Sequence, residues 1–325
     1  MDSLLEYFSS LNPSTFVAAL PGNIAQGIIW GLMALGVFIT YKLLNFADLT
    51  VDGSFATGGA VTAVLIMNDV PVWLAVIIAF AIGILAGLIT SVLHTLLGIP
   101  DILAGILTQI ALYSINLNIM GKANLPISFR NHKLVISSIN IPQAIVVSLI
   151  FAAVIICLMY WYFGTEQGST IRSTGSNPAM SKAQGININL AKVIALSLSN
   201  GLVALSGSLF AQYQGFADVN MGRGAIVIGL AAVIIGSVIG GTIFRKHMNF
   251  IIKLLFVIIG GILYYLSMGI VIWLKMPTDD TKLFTAVIVA IFLAIPYLKE
   301  KSKNSFKKVA KQNQKNMSKE AESNA

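Results

Sequence analysis

Charge is scarce in this sequence: charged residues make up 10% of its 325 positions, hydrophobic residues make up 56%, and mean hydropathy is +0.83. So little polar surface could not cover a soluble domain of that size, which excludes an ordinary globular enzyme and makes lipid the solvent for most of the chain. Cysteine is nearly absent too. Cys157, alone in an apolar run, cannot close an intrachain disulfide and reads as a small buried or lipid-facing hydrophobe. With histidine limited to the dispersed His94, His132 and His247, a Cys/His metal cluster of the usual spacing is excluded, and no metal site is expected. No G-x-x-x-x-G-K-[ST] segment occurs, so the backbone cradle and lysine that hold ATP phosphates are missing and no catalytic residue is expected. The N-terminus carries Asp2 and Glu6 in place of a basic n-region, and no cleavable signal peptide is expected.

What the chain does have is long apolar runs. Crossing about 30 Å of hydrocarbon takes roughly 20 residues of helix. Runs that meet this cover 16–40, 47–67, 72–97, 101–120, 142–163, 191–212, 222–244, 250–273 and 283–298. The expected fold is therefore all-α, a polytopic membrane helix bundle of eight or nine spans. A short N-terminal segment, 1–15, precedes it and a basic tail, 299–325, follows.

The tail explains most of the +8 net charge, because eight lysines there face three glutamates. Such a tail after a span marks the cytoplasmic side and can lie against anionic lipid; with one aromatic, Phe306, it does not suit nucleic acid. Nine spans then put the N-terminus outside. Lys42, Arg172, Lys182, Arg245 and Lys246 fall inside, and Asp69, Asp279 and Asp280 outside, as the lysine and arginine bias requires. Loop 121–141, with Lys122, Arg130 and Lys133, is the exception and keeps an eight-span alternative open. Small-xxx-small pairs at Gly27/Gly31, Gly83/Gly87 and Gly236/Gly240 are expected helix contacts.

The longest inner loop, 164–190, reads GTEQGSTIRSTGSNPAMSKAQGININL. Asn177 before Pro178 forms an N-cap with proline at the first helical position, and Gly185 is a suitable stop. The spacing predicts a helix over Pro178 to Gln184, about two turns long. Pattern alone leaves two roles open for it: a grip for a partner protein, or an interfacial helix tying two spans together.

Arg172, Gly175, Asn177 and Pro178, then Ala183, Gly185, Ile186 and Asn187, and further on Ser206 and Gly207, resemble the R-x-x-G-x-N-P…A…G-I…G region of permeases in the branched-chain amino acid, ribose and nucleoside ABC importer superfamily. Asn45–Phe46–Ala47 is similar to the N-F-A at the end of their first inner loop. The resemblance spans roughly residues 20–300. The stretch from Asn45 to Phe55 is most similar to a branch associated with amino acid uptake, including that of aromatic amino acids. It implies a permease that couples through loop 164–190 to cytoplasmic ABC ATPase subunits. These bind ATP and Mg, and no cofactor sits in this chain. A second permease copy or homologue and an external substrate-binding protein complete the assembly. Asn177 and Pro178 would start the coupling helix, Met180 and Ala183 would pack into the ATPase, Gly185 would release the chain, and Arg172 and Gly175 belong to the same motif. Asp48 and Ser176 depart from the family pattern.

For the solute route, polar residues at membrane depth are the candidates, since each is costly unless it faces protein or water. Asp52, Gln109, Tyr113, Asn116 and Asn200 qualify. Asp48 reads instead as an N-cap at the inner interface, with Asp52 about 6 Å deeper, and Asn116 and Asn200 could equally bond across helices. Phe46–Ala47–Asp48 recurs as Phe216–Ala217–Asp218 before a second apolar run, as an inverted repeat would produce. The alternatives are a nucleoside or sugar permease, an ion-coupled transporter using Asp48 or Asp52, and a membrane scaffold.

Overall fold

The structure, a computed structural model, describes residues 13–128, 134–244 and 249–274 and part of 283–294. Among the described residues, eight helices are long and apolar enough to cross a membrane. They are α1 (Pro13–Leu44), α2 (Thr50–Met67), α3 (Val72–Thr95), α4 (Asp101–Met120), α5 (Ile141–Phe163), α8 (Ile188–Gln214), α9 (Ala225–Ile243) and α10 (Phe250–Trp273). Between α5 and α8 lie two shorter helices, α6 (Glu166–Ser176) and α7 (Pro178–Ala183). A two-stranded antiparallel pair, β1 (Asn124–Pro126) and β2 (Phe216–Asp218), closes the opposite end, with Asn124 facing Asp218.

The expected spans map onto these helices with shifts at their ends. Helix α1 starts at Pro13 and continues past residue 40 as a π-helical turn, Phe38–Leu44, which ends at Asn45 in the left-handed region (φ 56°). The ninth expected span, 283–298, lies partly outside the described residues, and those described within it are helical. The tail 299–325, the first twelve residues and Arg130, Lys133, Arg245, Lys246, Asp279 and Asp280 fall outside the described residues.

Helix α8 is the mast of the bundle. It packs against α1, α2 and α3 and is buried along nearly its whole length. In lipid, apolar contact adds no driving force between helices, so close backbone approach and hydrogen bonds must hold them. Both are present. A Cβ added at Gly58 would collide with the carbonyl of Ala204, one at Gly207 with that of Phe55, and those at Gly83 and Gly87 with the backbone of α8. The Gly27/Gly31 face meets α10, where a Cβ at Gly27 would fall 2.6 Å from Cα of Ile262, and Gly236 meets Phe256. Ser206 Oγ donates to Ile29 O at 2.7 Å, Ser199 Oγ to Gly36 O at 2.8 Å, and the hydroxyls of Thr62 and Ser208 lie 2.7 Å apart. At the centre Trp30 stacks among Phe55, Phe210 and Tyr265, with ring centroids 4.7, 5.3 and 5.7 Å away.

Overpacking at such a contact costs about 1–3 kcal/mol. Gly207→Ala is therefore expected to lower the thermal midpoint of the detergent-purified protein by several degrees. Heating followed by size-exclusion chromatography measures this, with Gly241→Ala, which meets nothing within 4 Å, as the neutral control.

Loop 164–190 holds more structure than one short helix. Its first part, Glu166–Ser176, is itself helical because Thr165 caps it, accepting the N–H of Gly168 at 3.4 Å, and because bare Gly168 lets the new helix start against Phe163.

Candidate functional site: a polar cleft at two broken helices and a capped loop below it

Helices α2 and α9 both begin inside the bundle. Thr50, the first residue of α2, has its hydroxyl 2.7 Å from that of Thr90, which lies 2.9 Å from that of Thr108. Thr108 is seven residues into α4, so α2 starts about 10 Å inside the end of the bundle. Asp48, 2% exposed, is packed among protein groups at the start of α2. Its Oδ1 accepts the N–H of Thr50 at 2.9 Å and its Oδ2 that of Asn200 Nδ2 at 2.7 Å; Asn200 Oδ1 accepts from Ser54 Oγ at 2.7 Å. Asn200 is consumed in this lock.

Asp52 serves the second broken helix. Its carboxylate accepts the N–H groups of Gly224 and Ile226, both at 2.9 Å, and so caps the first turn of α9 from another helix. A Cβ on Gly222 would collide with the Asp52 carbonyl, so only glycine admits the chain this close. Irregular backbone at membrane depth is tolerated only where it is buried in protein or lines a cavity, and half-helix N-termini at such breaks are where transporters place solutes.

A cleft of about 260 Å³ opens at this spot. Asp52, Gln109, Tyr113 and Asn116 all line it, so the structure brings together four of the five expected route residues and places Asn200 elsewhere. Two further residues on the wall, Asn220 and Arg223, were missed by sequence reasoning. The available signal was that Arg223, between Gly222 and Gly224, is the sole lysine or arginine across 193–244. Asn116 is 0% exposed and neither its Nδ2 nor its Oδ1 has a hydrogen-bond partner.

The motif residues of loop 164–190 gather at the opposite end from the strand pair. Asn177 Oδ1 accepts the N–H of Met180 at 3.0 Å, Pro178 opens α7, and the helix runs to Ala183, one residue shorter than expected. Gly185 follows at φ +80°, open to its surroundings. Met180 is 59% exposed; Ala183 on the same helix and Arg172 on α6 are exposed too. Gly175 differs: it packs directly on the backbone of Leu43 and Leu44 at the π-helical end of α1. The repeated Phe-Ala-Asp triplet has a common local feature. In each copy the aspartate accepts an N–H two residues on, Thr50 at 2.9 Å and Asn220 at 2.7 Å, although Phe216–Asp218 is a strand and the first copy is not.

A bundle with eight candidate spans among its described residues, two of whose helices begin inside it beside a polar cleft, has the build of a membrane transport permease. Residues 22–296 match the family described as branched-chain amino acid transport system, permease component, and the chain belongs to that family. It is a multi-pass transport subunit of the ABC type and not an enzyme. It is 41% identical over 291 residues to the tyrosine transport system permease protein of Clostridioides difficile, covering 89% of this chain and 96% of that one. It is 26% identical over 250 residues to a ribose import permease of Haemophilus influenzae, covering 73% and 75%, and 27% identical over 244 residues to that of Escherichia coli, covering 73% and 76%. No solved structure matches the chain.

Proposed function

We propose that this permease carries an amino acid across the cytoplasmic membrane. The observation that carries this reading is the near full-length 41% identity to a tyrosine permease, against 26% to a ribose permease over three quarters of each chain. The protein works with cytoplasmic ATPase subunits that bind ATP and Mg, with a second permease copy or homologue, and with an external binding protein that delivers the solute. The α6–α7 end and the basic tail face the cytoplasm. Exposed, capped α7 seats in the ATPase, and the cleft at the two broken helices is part of the solute route.

The test is reconstitution of the permease with the ATPase and binding protein encoded beside it. ATP-dependent accumulation of tyrosine in proteoliposomes is expected. Ribose accumulation without amino acid uptake would assign the sugar instead, and ion-driven uptake by this chain alone would remove the ABC assembly from the proposal.

The coupling surface has its own test. An apolar anchor at the centre of an interface contributes about 2 kcal/mol or more. Met180→Asp is therefore expected to reduce transport-coupled ATPase activity at least tenfold while detergent-extractable protein stays at the wild-type level. Gly185→Val, strained at its positive φ, is expected to act in the same direction.

A further inference from the structure

We infer that Arg223 and Asn116 form a solute-reading station inside the cleft, in which Arg223 takes the carboxylate of an amino acid and Asn116 its ammonium group. The inference rests on the amino acid reading above and adds which residues of the permease itself recognise the solute.

The argument begins with charge. Two groups at the cleft could attract a carboxylate: the N-termini of the broken helices, and Arg223. The helix N-termini are already answered, since Asp48 holds the N–H of Thr50, and Asp52 holds those of Gly224 and Ile226. Arg223 forms no ion pair with the described residues, because Asp52, the acidic group on the same wall, is engaged with backbone donors. A guanidinium is a rigid fork whose donors match a carboxylate in pairs. The cleft therefore holds one uncommitted cation.

Asn116 supplies the second, independent observation. A fully buried amide normally finds partners for both of its ends, and in this chain both ends lack them while the residue faces the cleft. A group that enters with both donors and acceptors would satisfy it. The Oδ1 atom accepts from an ammonium, and Nδ2 is free to donate. Tyr113 and Ile110 on the same helix offer an apolar flank for a side chain. At about 260 Å³ the cleft is at the small end of ligand pockets, which run from about 300 to 1,000 Å³, so it admits one small solute. Arg223 is exposed to solvent on the cleft wall, and a sugar would offer it no anion to pair with.

The test uses the purified permease–ATPase complex without binding protein, probed by saturation-transfer NMR with tyrosine and with tyrosine amide, which keeps the ring and ammonium but has no carboxylate. Tyrosine is expected to give signal and the amide at most a tenth of it. Arg223→Gln should abolish the difference by removing the tyrosine signal, Arg223→Lys should restore part of it, and Asn116→Leu should weaken both ligands about tenfold. Elution of each variant with its ATPase on size exclusion verifies assembly. Equal binding of tyrosine and its amide, unchanged binding by Arg223→Gln, or absence of tyrosine binding in the wild type overturns the station. Tyrosine uptake by the complete wild-type system is measured in parallel. Uptake with no station leaves the amino acid reading in place, and absence of uptake removes both.

Discussion

Asp52→Ala should leave little correctly assembled protein in the membrane. The carboxylate caps α9 from α2, accepting two backbone N–H groups at 2.9 Å each. The cap lies at the wall of the cleft, so water can only partly replace it. Each orphaned donor costs about 1–3 kcal/mol, so removal costs about 2–6 kcal/mol out of a total stability of about 5–15. The measurement is the monodisperse fraction after detergent extraction, together with its thermal midpoint. Asp52→Asn keeps an acceptor but no charge and is expected to retain part of the yield. Were Asp52 only a solute ligand, both variants would assemble like the wild type and fail in uptake alone; that outcome would refute the capping role.

The second large effect is expected at Gly175. Here α6 presses on the backbone of Leu43 and Leu44, and a single methyl group would already overlap the Leu43 carbonyl. Gly175→Val must push the α6–α7 unit away from the end of α1. The membrane-embedded contacts are untouched, since Gly58, Gly207 and the hydroxyl bonds lie elsewhere. Transport should fall at least tenfold while extractable, folded permease remains near normal, because the partner ATPase would meet a displaced α7. Uptake and ATP consumption measured on the same vesicles decide it; wild-type stoichiometry in Gly175→Val would remove Gly175 from coupling.

The spans were legible because lipid imposes a length and a composition on each of them. Limits at 101–120 and 250–273 coincide with the helices found, and Asn177 before Pro178 gave the start of α7. Asp52 shows where legibility ends. From the sequence it is a polar residue near a span's beginning; its partners, Gly224 and Ile226, lie 172 and 174 residues away and no local spacing points to them. Asn200 bonds across helices, the second of the two readings open to it, but its partners Asp48 and Ser54, 152 and 146 residues distant, could not be named from the sequence. Helix α6 escaped because its residues, EQGSTIRSTGS, have low helix propensity and depend on Thr165 and the contact of Gly168 with Phe163. Arg223 escaped because it stands at the very start of the expected span 222–244, where no neighbour in sequence points to a cleft.

The hydroxyl bonds of α8 have a mechanical consequence. Ser199 and Ser206 bond to α1, and Asn200 and Ser208 to Ser54 and Thr62 of α2, at successive levels over about 14 Å of rise. Sliding α8 by one helical step of about 5.4 Å would break every one of them together. Shear within this trio is thus forbidden. A displacement of any one of the three is therefore passed to the other two. Any rearrangement that widens the cleft then has to carry these three helices together, as one block moving against the rest of the bundle.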